Sequence, residues 1–146
     1  MTDMDPGTFR DYVADHVRRY LDSDGEDGAI WNGLPCVILT SVGAKSGETR
    51  LTPIIRVPVP DSDDWVAVGS MGGAPKSPSW VFNLRADPTA VTLQDRDTKR
   101  TYVATETAGD ERAELWDIAV GIYPEYAEYQ KRTTRTIPVF RLTPSD

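Results

Sequence analysis

The first periodic pattern in the chain lies near its amino terminus, over residues 9–21. Apolar residues recur there every three or four positions, which places them on one face of a helix. They are Phe9, Tyr12, Val13, Val17, Tyr20 and Leu21. With Asp5 and Pro6 suited to the cap and first turn, the pattern predicts an N-terminal amphipathic helix. The charged, glycine-rich residues 22–28 have little apolar surface to pack, so we expect a flexible loop there.

Short apolar segments in the middle of the chain are typical of strands. We predict strands over residues 35–40, 49–57, 65–70, 91–94 and 100–105, and an edge strand over 137–142, which contains Pro138. Polar turn segments join successive strands at residues 44–48, 60–63 and 95–98. Hairpins in series indicate a mainly antiparallel sheet or barrel.

Helical segments interrupt this series of strands. The first is expected over residues 78–86, with Ser77 as its cap and Pro78 in its first turn. Two more are expected over residues 110–120 and 124–131. These elements together predict an α+β fold in which about six short strands curl into a barrel with helices around it.

Length and composition favour one domain over residues 1–146, with the helix and loop in 1–28 and the barrel in 35–146. Apolar residues make up 39% of the chain, which is enough for one sizeable core. The chain has 16 Lys and Arg against 23 Asp and Glu, a net charge of -7, which argues against a general nucleic-acid binder. An anionic ligand would therefore have to meet a local basic cluster.

Cysteine and histidine are too rare for a metal cage or an internal disulfide. Cys36 is the only cysteine and His16 the only histidine, and both suit packing positions. We therefore expect no metal site. The sequence has no apolar stretch of about 20 residues, and its acidic start differs from a secretory signal, so we expect a cytoplasmic protein.

The segment 43–50 is the first candidate binding site. Its glycine-framed turn presents Lys45, Ser46 and, on the following strand, Arg50. Exposed backbone N–H groups, a point charge and a guanidinium fork could together hold phosphate or carboxylate. The spacing is not that of a P-loop, because Ile38 stands where the leading glycine belongs. The alternative is an ordinary solvated hairpin turn.

The segment 70–80 is the second candidate. Gly72 and Gly73 would let the backbone approach a flat ligand, and the N–H groups near Ser79 could bond to ring heteroatoms. Trp80 would then form an apolar wall. The alternative is a connecting loop, with Trp80 in the core.

Three tyrosines spaced three residues apart form the third candidate. On a helix, Tyr123, Tyr126 and Tyr129 would share one edge, where a phenol could donate a proton to a substrate. Tyrosines at helical spacing are also common as half-buried packing residues with a solvated hydroxyl, so this alternative stays open.

Several segments, taken together and in order, resemble the deazaflavin-dependent nitroreductase family. They are LTSVGAKSGETRLTP at residues 39–53, GGAPK at 72–76, WVFNLRADP at 80–88, DERAELW at 110–116, Tyr123-Pro124, and RTIP at 135–138. The similarity runs from about residue 35 to the C-terminus and leaves out the N-terminal helix. It implies a split β-barrel that binds coenzyme F420, a hydride carrier with an anionic tail.

The resemblance also implies roles for individual residues. Lys45, Ser46 and Arg50 would hold the tail's phosphate and carboxylates. The deazaflavin would be cradled by Pro53 and by residues of the 70–80 loop, namely Ser70, Met71, Gly72, Gly73, Lys76, Ser79 and Trp80. Tyr126 would donate a proton to, or orient, the acceptor.

The acceptor pocket would be completed by Ile55, Tyr123 and Tyr129, with Ser70 as a supporting hydroxyl. The implied reaction is hydride transfer from reduced F420 to quinone, nitro-aromatic, or conjugated enone or lactone acceptors. The sequence departs from the family at Ala44 and Met71, where members often carry cations, and at Ile55, where some carry an aromatic residue.

Three alternatives remain at this stage. The chain could be a split-barrel reductase that binds FMN, or a non-catalytic carrier of F420. The amphipathic helix also leaves peripheral association with the inner membrane face open, although its polar face mixes acids with arginines. The sequence does not distinguish a monomer from a homodimer.

Overall fold

The structure is a computed structural model. It describes residues 6–31, 34–70, 73 and 77–145, without the side chains of residues 6–10 and 31. The elements are α1 (Pro6–Asp22), β1 (Ile30–Trp31), β2 (Leu34–Val42), β3 (Thr49–Ile55), β4 (Trp65–Val68), α2 (Ser79–Ala86), β5 (Val91–Asp95), β6 (Thr98–Glu106), α3 (Gly109–Ile122), α4 (Glu125–Lys131) and β7 (Val139–Pro144). The predicted α+β class is confirmed. The two-residue strand β1 was not predicted.

Antiparallel pairing joins the strands in the order β1-β2-β5-β6-β7-β4, and β3 pairs with the remaining edge of β2. The backbone beyond β3 then pairs with β4, because the Val66 N–H donates to the Val57 carbonyl at 2.9 Å and the Val59 N–H to the Asp64 carbonyl at 2.9 Å. The two ends of the sheet therefore meet. This curled sheet confirms the predicted split β-barrel.

The barrel has a packed interior and two helix-covered outer surfaces. Alternate residues of β2 divide between them, as the two-residue period of a strand requires. Val37 and Leu39 join the interior core with residues of α2, whereas Cys36 and Ile38 face α1. Helices α3 and α4 cover a third cluster, which includes Ile55.

Helix α1 docks on the barrel through Tyr20. The side chain of Tyr20 is fully buried, and its hydroxyl accepts from the Arg96 N–H at 2.6 Å and donates to the Gln94 carbonyl at 3.2 Å. Val13 and Val17 pack beside it. The barrel thus covers Val13, Val17 and Tyr20 of the apolar face that suggested a membrane surface, whereas Tyr12 and Leu21 are exposed. No helix in the described part of the chain is long and apolar enough to cross a membrane.

The loop after α1 is confirmed, although polar contacts hold it in place. Gly25 has φ +84° and donates to the Tyr20 carbonyl at 2.8 Å. A Cβ at Gly25 would lie 2.7 Å from the Arg96 Cα atom. Asp27 pairs with Arg19 at 2.9 Å. Backbone packing and hydrogen bonds therefore hold a segment that has little apolar surface.

The predicted cap of α2 is wrong. The helix begins at Ser79 with extended Pro78 at the N-cap, and none of the described side chains bonds to the first turn. The hydroxyl of Ser77 instead accepts from Arg135 at 3.2 Å. A tertiary hydrogen bond has therefore replaced the local one. The strands predicted at 49–57 and 65–70 begin as expected but end two residues early, and the strand predicted at 137–142 is shifted, because β7 begins after Pro138.

Candidate functional site

The β2–β3 hairpin turn holds the first group of candidate residues. Its backbone is closed by the Gly43 N–H bonding to the Glu48 carbonyl at 2.8 Å and by the Gly47 N–H bonding to the Gly43 carbonyl at 2.9 Å. Gly47 has φ +73°, which favours glycine. Lys45 and Ser46 are exposed at the tip. The turn therefore presents a cation and a hydroxyl to solvent.

Arg50 lies beside this turn and bonds within it. Its Nη2 donates to the Ser46 hydroxyl at 3.3 Å and pairs with the Glu48 carboxylate at 3.2 Å. The side chains of Arg50 and Glu48 are 52% and 70% exposed, so the ion pair is weak. An incoming phosphate or carboxylate can compete with it. Among the described ion pairs, none involves Lys45.

Asn83 ties this hairpin to α2. The amide nitrogen of Asn83 donates to the Ser41 hydroxyl at 3.2 Å, and its oxygen accepts from the Ala44 N–H at 2.9 Å. Asn83 is buried, so its bond to Ser41 forms in a low dielectric, whereas its bond to Ala44 is partly buried. The sequence patterns did not identify this residue. A lone amide within the apolar helical segment WVFNLRA was the available signal.

The register of β3 divides the candidates predicted on that strand. Pro53 is opposite Ile38 and Ile55 is opposite Cys36, so both lie on the face of β3 away from Arg50. Ile55 packs in the same cluster as Tyr126. The strand therefore presents its cation on one face and its apolar candidates on the other.

The loop after β4 is packed against the tyrosine helix. Gly73 has φ +81°, and a Cβ there would lie 2.6 Å from the Tyr129 carbonyl oxygen. The Gly73 N–H donates to the Ser70 carbonyl at 3.0 Å, and Ser70 is 8% exposed. The close backbone approach that the sequence suggested therefore includes α4. Three predicted residues of this loop, Met71, Gly72 and Lys76, lie outside the described residues.

Trp80 lies in the barrel interior. Its side chain is 4% exposed and packs with its ring centroid 5.9 Å from that of Phe140. The indole is thus a core residue, as the alternative interpretation held, and not an exposed wall. Among the described residues, no side chain caps the first-turn N–H groups at Ser79 and Trp80.

Arg135 connects several parts of the 70–80 segment. One guanidinium nitrogen donates to the Gly69 carbonyl at 3.1 Å and to the Ser77 hydroxyl at 3.2 Å, and the other donates to the Ser70 carbonyl at 2.7 Å. Burial lowers the pKa of Arg135 from its ordinary value. Arg135 opens the family-like segment RTIP, but no sequence pattern indicated a role for it.

The three tyrosines form one cluster, as predicted, although Tyr123 ends α3 instead of lying on α4. The hydroxyls of Tyr123 and Tyr129 are 2.7 Å apart. Tyr126 packs edge-on against Tyr123, with centroids 4.9 Å apart and planes at 88°. Burial raises the pKa of both Tyr126 and Tyr123 well above the ordinary value of 10.0. Both phenols therefore keep their protons further into the alkaline range than an ordinary tyrosine does.

His16 and Cys36 lie apart from this region, under α1. Both are buried, with the Cys36 sulfur 3.7 Å from the His16 Nε2 atom. Burial raises the pKa of the Cys36 thiol to about 12, so it is not an activated nucleophile. In the described ranges, no group of three or more His, Cys, Asp or Glu side chains could hold a metal ion.

Known proteins are similar to this chain over most of its length. Residues 12–144 match the model of the F420H(2)-dependent quinone reductase family. An F420H(2)-dependent quinone reductase of Mycobacterium tuberculosis is 33% identical over 131 residues, which is 88% of this chain and 87% of that protein.

Two solved structures are also similar. One, described as an F420-H2 dependent reductase, is 47% identical, covers 74% of this chain and 93% of its own, and has a TM-score of 0.68. The other, described as a domain-swapped dimer, is 42% identical, covers 91% of this chain and 98% of its own, and has a TM-score of 0.70. The chain therefore belongs to the F420H2-dependent quinone reductase family of oxidoreductases, whose coenzyme is F420.

Proposed function

We propose that this member of the family transfers hydride from F420H2 to a quinone, nitro-aromatic, or conjugated enone or lactone acceptor beside the tyrosine cluster. The observation that carries the proposal is the contact between the loop after β4 and α4. The connection between β4 and α2, residues 69–78, is predicted to bind the coenzyme and is called the coenzyme loop here. Because Gly73 packs directly on the Tyr129 backbone, the coenzyme loop adjoins the predicted acceptor pocket. Hydride transfer needs these two sites side by side.

The β2–β3 hairpin supports binding of the coenzyme's tail. Lys45, Ser46 and Arg50 supply two cations and a hydroxyl, a donor set that suits phosphate and carboxylate. The surrounding protein is acidic, with a net charge of -7, so these cations must act locally. The Asn83 bonds would hold the turn at a fixed distance from α2.

The deazaflavin would lie between this hairpin and the tyrosines. Ser70 and the N–H groups at the start of α2 would bond to its polar edge. Pro53 shares the α1-facing side of β3 with Leu51, so we do not place it against the ring. Ile55 shares a cluster with Tyr126, which supports placing the acceptor pocket on that side.

When bound, the reduced coenzyme supplies the hydride, and the chain's residues handle orientation and the proton. Tyr126 is only 4% exposed, and its phenol is neutral at neutral pH as any tyrosine is, so it can donate a hydrogen bond to an oxyanion that develops on the acceptor. Burial raises the pKa of Tyr126, which makes it a weaker proton source. The bonded Tyr123 and Tyr129 hydroxyls would line the same pocket.

The test is oxidation of F420H2 by the purified protein with menadione, a nitro-aromatic compound and a conjugated enone in turn. Reduced FMN and NADPH serve as parallel donors. We expect enzyme-dependent oxidation of F420H2 alone. Oxidation of FMN in preference to F420 would support the FMN alternative. Binding of F420 without turnover of any acceptor would make the protein a carrier. An absence of F420 binding would reject both the reductase and the carrier hypotheses.

A further inference from the structure

We propose that Arg135 is a positioning residue, which fixes the coenzyme loop relative to the helix that carries Tyr126. This inference rests on the proposed function and extends it. Arg135 lies on neither the hairpin, the loop nor α4. It comes instead from the segment between α4 and β7, and its bonds extend in both directions.

The guanidinium holds both ends of the loop. Its bonds to the Gly69 and Ser70 carbonyls fix the point where the chain leaves β4, and its bond to the Ser77 hydroxyl fixes the point just before α2. A planar guanidinium offers several donors in a rigid fork, so one side chain can serve acceptors from distant positions. This use of the Ser77 hydroxyl also explains why it does not cap α2.

The backbone around Arg135 is held to α4. Gln130 on α4 donates to the Arg135 carbonyl at 2.7 Å, and its amide oxygen accepts from the Ile137 N–H at 3.0 Å. The Ile137 carbonyl in turn accepts from Arg112 of α3 at 2.7 Å. A continuous set of hydrogen bonds therefore connects α3, α4, Arg135 and the loop.

The consequence is a fixed distance between the coenzyme loop and the tyrosines. The set bonds to no side chain that is predicted to bind coenzyme or take part in the reaction, because Arg135 reaches Ser70 only through its backbone carbonyl, so its loss would remove none of the predicted catalytic or binding groups. It would instead allow the loop to shift, and a displacement of about 1 Å can cost roughly 100-fold in rate. Lysine cannot replace the fork, because it presents one point charge.

The first measurement uses the protein without coenzyme. We expect Arg135→Ala to speed hydrogen exchange of the Gly73 amide, whose bond to Ser70 depends on the held loop, by at least about 10-fold. Amides of the β5–β6 hairpin should be unaffected. Unchanged Gly73 exchange would overturn the proposal whether or not the protein reduces quinones, so the result is independent of the proposed function.

The second measurement uses F420. Arg135→Ala should weaken F420 binding, followed by tryptophan quenching, and lower kcat/KM by roughly 10- to 100-fold. Millimolar methylguanidinium should partly restore both in a saturable way, whereas Arg135→Lys should not. Arg141→Ala is the matched control, because it removes a part-buried arginine bonded to Asp64 at 2.7 Å. If both alanine variants only lower the Tm equally, and Arg135→Lys behaves as wild type, the positioning role is wrong.

Discussion

Burial decides what individual side chains can do in this protein. Tyr126 is predicted to be a proton donor and Cys36 a core residue, and both are almost fully enclosed. Enclosure raises the pKa of each group because the charged form loses its water. A phenol that stays protonated remains a hydrogen-bond donor, whereas a thiol that stays protonated is a poor nucleophile. The same physical effect therefore leaves Tyr126 a hydrogen-bond donor, although it makes the phenol a weaker acid, and it argues against a nucleophilic role for Cys36.

Tyr126→Phe tests the proposed donor. The variant keeps the ring that packs against Tyr123, so we expect the fold and F420 affinity to be retained. Loss of the hydroxyl should lower kcat on the order of 100-fold, as for other single donors to a developing oxyanion. Steady-state kinetics with menadione measure this effect, and Tyr12→Phe on exposed α1 is the control. Equal kcat for Tyr126→Phe and wild type would remove Tyr126 from the proton step.

Lys45 is predicted to bind the anionic tail. Lys45→Met should weaken F420 binding roughly 10-fold, since a charge-assisted bond is worth about 1.5–3 kcal/mol and exposure reduces that value. The loss should shrink as salt is raised, because ions screen exposed charges. Lys99→Met is the control. Lys99 is also exposed, but it is the second residue of β6 and pairs with Gln94, at the end of β5 far from the β2–β3 turn. Equal losses for the two variants would mean that net charge, and not the hairpin, sets the affinity.

At the scale of elements, the helices and strands follow local patterns, whereas their ends depend on tertiary contacts. The hairpins at residues 44–48 and 95–98 were predictable, because glycine and Asp/Thr turn chemistry is local. The cap of α2 was not, because Ser77 had two uses for its hydroxyl and only the fold brings Arg135 within reach. The burial of Trp80 was open for the same reason, since a tryptophan at a helix start can face a core or a ligand.

The loop after α1 offers a test of how backbone packing holds one element. Gly25 and Gly109 both have positive φ, of +84° and +60°. Of the two, only Gly25 has a close neighbour among the described residues, because a Cβ there would lie 2.7 Å from the Arg96 backbone. The free energy of unfolding of both alanine variants should fall by about 1–2 kcal/mol, because alanine disfavours the left-handed conformation. That of Gly25→Ala should fall by roughly a further 1–3 kcal/mol, because of the collision.

Urea denaturation of the two alanine variants measures this difference. Gly109→Ala has the same conformational cost without the collision. The difference between the two variants' losses in free energy of unfolding therefore isolates the contact between the loop and the β5–β6 turn. Equal stabilities for the two variants would mean that the loop moves away from Arg96 at little cost.

At the scale of the whole molecule, a thiol and three phenols whose pKa values burial raises make the fold sensitive to alkali. The pKa of Cys36 rises from 9.0 to about 12 on folding, and burial also raises the pKa values of Tyr20, Tyr123 and Tyr126. Between pH 9 and 12 the unfolded chain releases the Cys36 proton and the folded chain keeps it. The free energy of unfolding must therefore fall as pH rises, by up to about 1.4 kcal/mol per pH unit for each such proton.

Urea denaturation between pH 8 and pH 11 measures that slope. Stability should be level near pH 8 and decline above pH 9. Cys36→Ala should be less stable at pH 8, because it leaves a small cavity, but its stability should decline less steeply. A Cys36→Ala slope equal to that of wild type would show that the thiol keeps an ordinary pKa in the folded protein.

The sequence by itself determined the α+β class, the hairpins, the helices and the coenzyme family, because periodicity, turn residues and ordered motifs are local properties of the chain. Only the tertiary structure decided how the sheet closes through Val57 and Val66, how α1 docks, and which candidates meet. The deciding bonds join residues far apart, such as Tyr20 to Arg96 across 76 positions and Arg135 to Ser70 across 65. Alternation along a strand tells which side chains are buried, but the partner that buries them is fixed only when the whole barrel closes.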